Sequence, residues 1–111
     1  FTGVTPEMRV AREEVFGPVL SVLRWGREGE LYEAVNGTDL GLTASIWTRD
    51  LVTAHRAAAQ VEAGYVWIND CSTHIVGAPF GGYKQSGMGR EESKDELFEF
   101  TQVKNINVSM V

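Results

Sequence analysis

Two carboxylates, an aromatic ring and a turn-forming pair stand together in Glu13-Glu14-Val15-Phe16-Gly17-Pro18. A carboxylate offers two oxygens, enough to accept both hydroxyls of a vicinal diol. A flat apolar ring two positions on limits the poses of a planar group laid beside it. Gly17-Pro18 is expected to turn the chain sharply, because Pro18 fixes its own φ and restricts the residue before it. Residue type alone leaves a plainer reading open, with Glu14 a solvated charge and Phe16 a core residue ahead of a strand. A second group of candidates runs from Asn69 to Phe80. There Cys71 would serve as a nucleophile only as a thiolate, and the imidazole of His74 invites general-base catalysis. His55 and His74 stand alone and Cys71 is the sole cysteine, so no pair has the spacing of a zinc site. A third stretch, Pro79-Phe80-Gly81-Gly82-Tyr83-Lys84-Gln85-Ser86-Gly87-Met88-Gly89-Arg90-Glu91, has the look of a phosphate cradle. Its spacing matches neither GxGxxG nor a P-loop, however, since no GK[ST] occurs. Lys84 and Arg90 therefore read as structural ion-pair partners.

The motifs at 13–18 and 79–91 follow each other in the order and spacing found in one enzyme family. The chain closely resembles the carboxyl-terminal part of the NAD(P)-dependent aldehyde dehydrogenases, and the likeness runs from Phe1-Thr2-Gly3-Val4 to Thr101-Gln102-Val103-Lys104-Asn105. The resemblance implies that Glu14 accepts hydrogen bonds from the nicotinamide ribose hydroxyls and that Phe16 packs beside the nicotinamide of NAD or NADP. It places Ser72, His74 and Phe80 along the tunnel by which an aldehyde substrate enters. Related enzymes often carry an aromatic residue at the position of His74, which makes it a tunnel wall and not a base. The glycine-rich stretch would be architectural, its glycines adopting backbone angles that other residues avoid.

The family's nucleophilic cysteine, general-base glutamate and dinucleotide-binding domain belong to sequence upstream, so no catalytic residue is expected here. Cys71 lies in Asn69-Asp70-Cys71-Ser72-Thr73, unlike the glycine-glutamine-x-cysteine setting of that nucleophile and on the wrong side of the Glu13–Pro18 motif. It reads as a loop thiol. The implied reaction is oxidation of an aldehyde to a carboxylic acid through a cysteine thiohemiacetal and thioester. Residues 1–100 would form the end of the catalytic domain and 101–111 a terminal oligomerisation strand. Two rivals stay open: a free-standing, non-catalytic binding or oligomerisation module, and a reductase that makes acyl-thioesters. NAD and NADP are distinguished by contacts to the adenosine ribose in another domain.

The elements expected to position these residues alternate. Val19–Trp25, Leu42–Thr48 and Tyr65–Asn69 read as buried strands. A short helix at Leu31–Val35 is stopped by Asn36-Gly37. Asp50 is placed to cap a longer helix with Leu51, Ala54, Ala58 and Val61 on its apolar face and Gly64 at its end. Ser93 to Glu96 matches a capping box ahead of a last helix. Asn105–Met110 alternates as an edge strand does. The fold class is therefore α/β, part of an open, mostly parallel β-α-β-α-β sheet with both helices on one face. Ligands gather beyond the carboxyl ends of such strands, which points the 69–80 segment at the site.

The 111 residues suffice for one domain, and 43% hydrophobic with 23% charged residues is an ordinary globular composition. A net charge of -5 argues against a nucleic-acid partner. No apolar run reaches the ~20 residues of a membrane span. The opening Phe1-Thr2-Gly3-Val4 reads as a strand interior from a longer chain, without the features of a signal peptide. One cysteine suits a reducing cytoplasm. Strands apolar on both faces, with helices on one side, call for a covering partner, so a homo-oligomer is expected.

Overall fold

The computed structural model describes residues 1–111. In chain order the elements are α1 (Arg9–Arg12), α2 (Glu28–Asn36), β1 (Leu40–Gly41), β2 (Thr43–Ile46), α3 (Leu51–Gln60), β3 (Tyr65–Ile68), β4 (Tyr83–Lys84) and α4 (Lys94–Glu99). The architecture is mixed α/β. At its centre β2 and β3 run parallel, Thr43 opposite Tyr65 and Ile46 opposite Ile68, joined by the crossover helix α3 that packs on both. A second small sheet pairs β1 with β4 antiparallel, Leu40 opposite Lys84.

Capping explains where α3 begins. The Asp50 carboxylate accepts the Thr53 hydroxyl and the backbone N–H groups of Val52 (3.3 Å) and Thr53 (3.1 Å). The Thr53 hydroxyl first, then those N–H groups, hold this carboxyl below its usual range. The helix ends at Gln60, four residues before Gly64, and the reason is a side chain. Asn36 donates to the Gln60 carbonyl and accepts the Glu62 N–H, both at 2.9 Å, which draws the chain out of the helix. The buried stripe is Ala54 and Ala57, while Leu51 faces solvent at 66% exposure. Small side chains thus allow the close approach of helix to sheet that the alanine run suggests.

Helix α2 starts at Glu28, earlier than apolar spacing alone indicates, because the Glu30 carboxylate accepts the N–H groups of Gly26 (3.2 Å) and Arg27 (3.3 Å). A two-pronged contact from Arg56 to Glu28, at 3.1 and 3.3 Å, ties α3 to α2.

Three expectations need correction. Val19–Trp25 belongs to no strand. Its one end is held by Phe1, whose amino group donates to the Leu20 carbonyl (2.6 Å) and whose carbonyl accepts the Val22 N–H (2.9 Å). No neighbouring strand within the chain completes a ladder, so the only crossover closed is β2–α3–β3. At α4 the capping box is displaced by one residue. The Glu96 carboxylate accepts the N–H of Glu92, not of Ser93, and the Ser93 hydroxyl is buried without a partner. Asn105–Met110, apolar and polar by turns, forms no ladder and is fully exposed with the rest of 101–111.

The chain holds little core of its own. Only six of its 111 residues are buried, and the largest of those side chains is a valine, Val4. Its radius of gyration is 19.2 Å, against about 13 Å for a compact domain of this length. The accessible surface of 9144 Å² exceeds by roughly half the ~6,100 Å² of a compact monomer of 12.3 kDa. Apolar surface that β-α-β layering would normally enclose is left open. No helix is long and apolar enough to cross a membrane.

Candidate functional site

Helix α1, which hydrophobic spacing does not announce, sets up the first group of candidates. An ion pair from Arg9 to Glu13 (2.7 Å) spans it, and the Glu13 N–H donates to the Arg9 carbonyl (3.0 Å). Glu13 is thereby used up in closing the helix, which leaves Glu14 to project. The expected sharp turn follows as two successive three-residue turns. Gly17 N–H donates to the Val15 carbonyl (2.6 Å) and Val19 N–H to the Gly17 carbonyl (2.7 Å). They throw the Phe16 ring outward, 97% exposed. The Glu14 carboxylate makes no hydrogen bond or ion pair within the chain. Both residues border an open groove of about 580 Å³, whose far wall is built by Leu42 and Ala44 with Glu62 and Ser86. A free carboxylate and a free ring two residues apart, facing one groove, match the demands of a diol joined to a planar base.

The second group gathers beyond the carboxyl end of β3. Asn69 lies in the left-handed region (φ 55°) and its side chain extends the sheet by one step. It accepts the Thr48 N–H (2.9 Å) and donates to the Thr48 carbonyl (2.8 Å), so one residue locks the ends of both parallel strands. Tyr65 and Trp67, two apart on β3, share a face of the strand, with ring centroids 4.8 Å apart. The Trp67 indole donates to the Thr73 carbonyl (2.7 Å) and anchors the loop. His74 and Phe80 then lie over the same face, their centroids 4.7 Å apart and 6.0 and 5.6 Å from Tyr65. The structure so brings His74 and Phe80 together. Ser72 is exposed at a left-handed φ of 59° and makes no hydrogen bond. Cys71 is a free, exposed thiol. No hydrogen bond, ion pair or ring contact joins the 72–80 group to Glu14 and Phe16 within the chain.

Glu92 is a member that sequence reasoning missed. Both of its carboxylate oxygens face Nδ1 of His74, at 2.7 and 2.9 Å. Its backbone sits at φ 61°, a conformation that costs a residue with a side chain on the order of 1–2 kcal/mol. Surrounding bonds hold it there. Glu92 N–H donates to the Glu96 carboxylate (2.9 Å), its carbonyl accepts the Gly77 N–H (2.7 Å), and the adjacent Glu91 exchanges two backbone bonds with Phe80. No local motif announces a pair separated by eighteen residues. The Tyr65/Trp67 pair was missed as well, although period-two spacing along a strand would put both on one face.

The glycine-rich stretch is architectural. Its β4 pairs with β1, and the Ser86 hydroxyl accepts the Gly41 N–H (3.0 Å). Lys84 is an ion-pair partner, at 2.6 Å from Glu62, and also donates to the carbonyls of Asn36 (2.7 Å) and Thr38 (3.0 Å). Arg90 departs from expectation. It bonds the carbonyls of Gly82 (2.9 Å) and Gly89 (2.8 Å) and lies over the Tyr83 ring, with no carboxylate partner for its guanidinium.

The model of the aldehyde dehydrogenase family matches residues 1–106. The chain belongs to the aldehyde dehydrogenase family. An aldehyde dehydrogenase, tropH, of Talaromyces stipitatus is 56% identical over 110 residues, which are 99% of this chain and 21% of that protein. A betaine aldehyde dehydrogenase of Mesorhizobium japonicum is 52% identical over 108 residues, 97% of this chain and 22% of that one. Among solved structures, the NAD+ complex of an aldehyde dehydrogenase from Bacillus cereus superposes with a TM-score of 0.89 at 44% identity, over 99% of this chain and 22% of the other. The chain thus spans about a fifth of the length of the curated relatives it matches.

Proposed function

We propose that this chain is the cofactor-positioning and substrate-tunnel portion of an enzyme that oxidises an aldehyde to a carboxylic acid with NAD or NADP. One observation carries the reading. In a chain of this family, the Glu14 carboxylate and the Phe16 ring are both free of partners and border one groove. When bound, the nicotinamide accepts a hydride. Glu14 holds the ribose diol through its two oxygens, and Phe16 restricts the lie of the nicotinamide ring without offering a competing polar group. His74, Phe80 and Ser72 line the aldehyde's path on the other side of the loop. The nucleophilic cysteine and the glutamate that activates water, which carry the reaction through thiohemiacetal and thioester, come from outside these residues.

Low burial supports the same reading over that of a free-standing module. A chain with six buried residues and a 19.2 Å radius of gyration lacks the core that independent folding requires. The rest of a catalytic domain would cover Val19–Trp25 and complete its ladder. Residues 101–111 would pair with a second copy in a homo-oligomer, in a cytoplasmic setting consistent with a single free thiol. The test is aldehyde-dependent reduction of NAD or NADP, followed by the absorbance of the reduced nicotinamide. The full-length protein carrying these residues is expected to turn over and the isolated chain to show none. Turnover by the purified isolated chain, or none by the full-length protein with any aldehyde, would overturn the proposal.

A further inference from the structure

The aromatic wall of Tyr65, Trp67, His74 and Phe80 carries three polar groups: the Tyr65 hydroxyl, the Trp67 indole N–H that the Thr73 carbonyl takes, and the His74 imidazole, to which the structure commits a second residue. Glu92 occupies an unfavourable left-handed backbone position, pinned through its own N–H and carbonyl, and both carboxylate oxygens lie within 2.9 Å of Nδ1. A carboxylate there fixes the ring's orientation and keeps a proton on Nδ1. Nε2 is then left without a hydrogen bond within the chain, as is the Tyr65 hydroxyl, which His74→Phe leaves in place. His74 retains 41% of its side-chain exposure, so the ring is open to a ligand.

We infer that Glu92 is a positioning residue for His74, and that the pair makes this wall select aromatic aldehydes bearing a hydroxyl remote from the carbonyl. The inference rests on the tunnel reading above. Ring stacking against Tyr65, Phe80 and Trp67 favours a flat substrate body. A hydroxyl suits Nε2 in either state of the imidazole, donating to the neutral ring or accepting from Nε2–H of the charged one. Were His74 only a steric wall, no carboxylate would be needed behind it.

The experiment compares kcat/KM for 4-hydroxybenzaldehyde and benzaldehyde in the full-length protein. The parent is expected to favour the hydroxylated aldehyde roughly two- to tenfold, the worth of one neutral hydrogen bond. Glu92→Leu and His74→Phe should each bring the ratio close to one, and the double variant should lose no more than either single change. Glu92→Gln, which keeps the size of the side chain, should lower the ratio partway and guards against a misfolded Glu92→Leu. Imidazole nitrogen resonances, assigned by their loss in His74→Phe, should report a proton on Nδ1 in the parent and a mixture of tautomers in Glu92→Leu. Phe80→Ala separates the two layers of the argument, since it should raise KM for both aldehydes if this wall lines the tunnel. A raised KM in Phe80→Ala together with an unchanged ratio in the Glu92 variants would overturn the positioning role alone. An unmoved KM in both Phe80→Ala and His74→Phe would overturn the tunnel reading and this inference with it.

Discussion

Replacing Gly64 by alanine should displace the glycine-rich loop from the sheet and carry Phe80 with it. An ideal Cβ at Gly64 falls 1.8 Å from the Gly81 carbonyl oxygen, 2.8 Å from its carbon and 3.1 Å from the Gly82 carbonyl carbon. Ordinary contact begins at 3.4 Å, so the oxygen and the new methyl must separate by 1.6 Å, the difference of 3.4 and 1.8. Every atom in the way is backbone, and that backbone is held by Arg90 at Gly82 and by the Phe80–Glu91 bridge. A rotamer change cannot relieve the clash. Overpacking of this kind costs typically about 1–3 kcal/mol, and a rigid backbone obstacle puts Gly64→Ala at or above the top of that range. Gly29→Ala is the matched control. It lies within α2 with nothing inside 4 Å of the added methyl, so it should stabilise by about 0.4–1 kcal/mol. Thermal melts of the two full-length variants, with KM for aldehyde and for cofactor, make the assay. Gly64→Ala should melt several degrees lower and raise the aldehyde KM more than the cofactor KM. If it melted within a degree of the parent, the close packing of Gly64 on Gly81 would be wrong.

Further outcomes are expected. Cys71→Ser in the full-length protein should leave turnover nearly intact, since Cys71 is an exposed loop thiol; loss of activity would make it the nucleophile after all. Asp50 has a lowered folded-state pKa, so its stabilisation is present above the unfolded value and is lost as pH falls through the folded one. Asp50→Asn should accordingly lower Tm at neutral pH and flatten its fall in acid, and parallel acid limbs would refute this. The isolated chain should sediment as a dimer or larger species and bind an apolar dye, given Leu20 at 75%, Trp25 at 56% and Ile106 at 74% exposure; a dye-inert monomer at high concentration would contradict it.

Local signals were legible wherever the residues that decide an element lie close together in the chain. Asp50 announces α3, the alanine run announces its packing, and the two parallel strands β2 and β3 can be read from their apolar runs. What depends on distant partners could not be read this way. Asn36, twenty-four residues from Gln60, ends α3 before Gly64 does. Val19–Trp25 has the composition of a strand, yet strandedness is a property of a pair, and no strand of the chain pairs with it. The capping box at Ser93 failed because Glu92, turned left-handed to meet His74, takes the Glu96 carboxylate for its own N–H. The candidate site divides in the same way. Motif residues Glu14 and Phe16 were singled out from the sequence, and the groove they face became visible only in three dimensions. The Glu92 contact to His74 joins two loops and leaves no periodic trace.

The proposed role of Glu14 in holding the cofactor is tested most directly by single-turnover hydride transfer in full-length Glu14→Gln. An amide accepts diol hydrogen bonds less well than a carboxylate, and bonds to charged groups are worth roughly 1.5–3 kcal/mol, so the change should be about tenfold or more. The account predicts that it appears in the hydride-transfer rate or the cofactor affinity while Tm stays at the parent value. A variant with altered Tm and every cofactor-dependent constant unchanged would contradict it, leaving Glu14 a solvated surface charge.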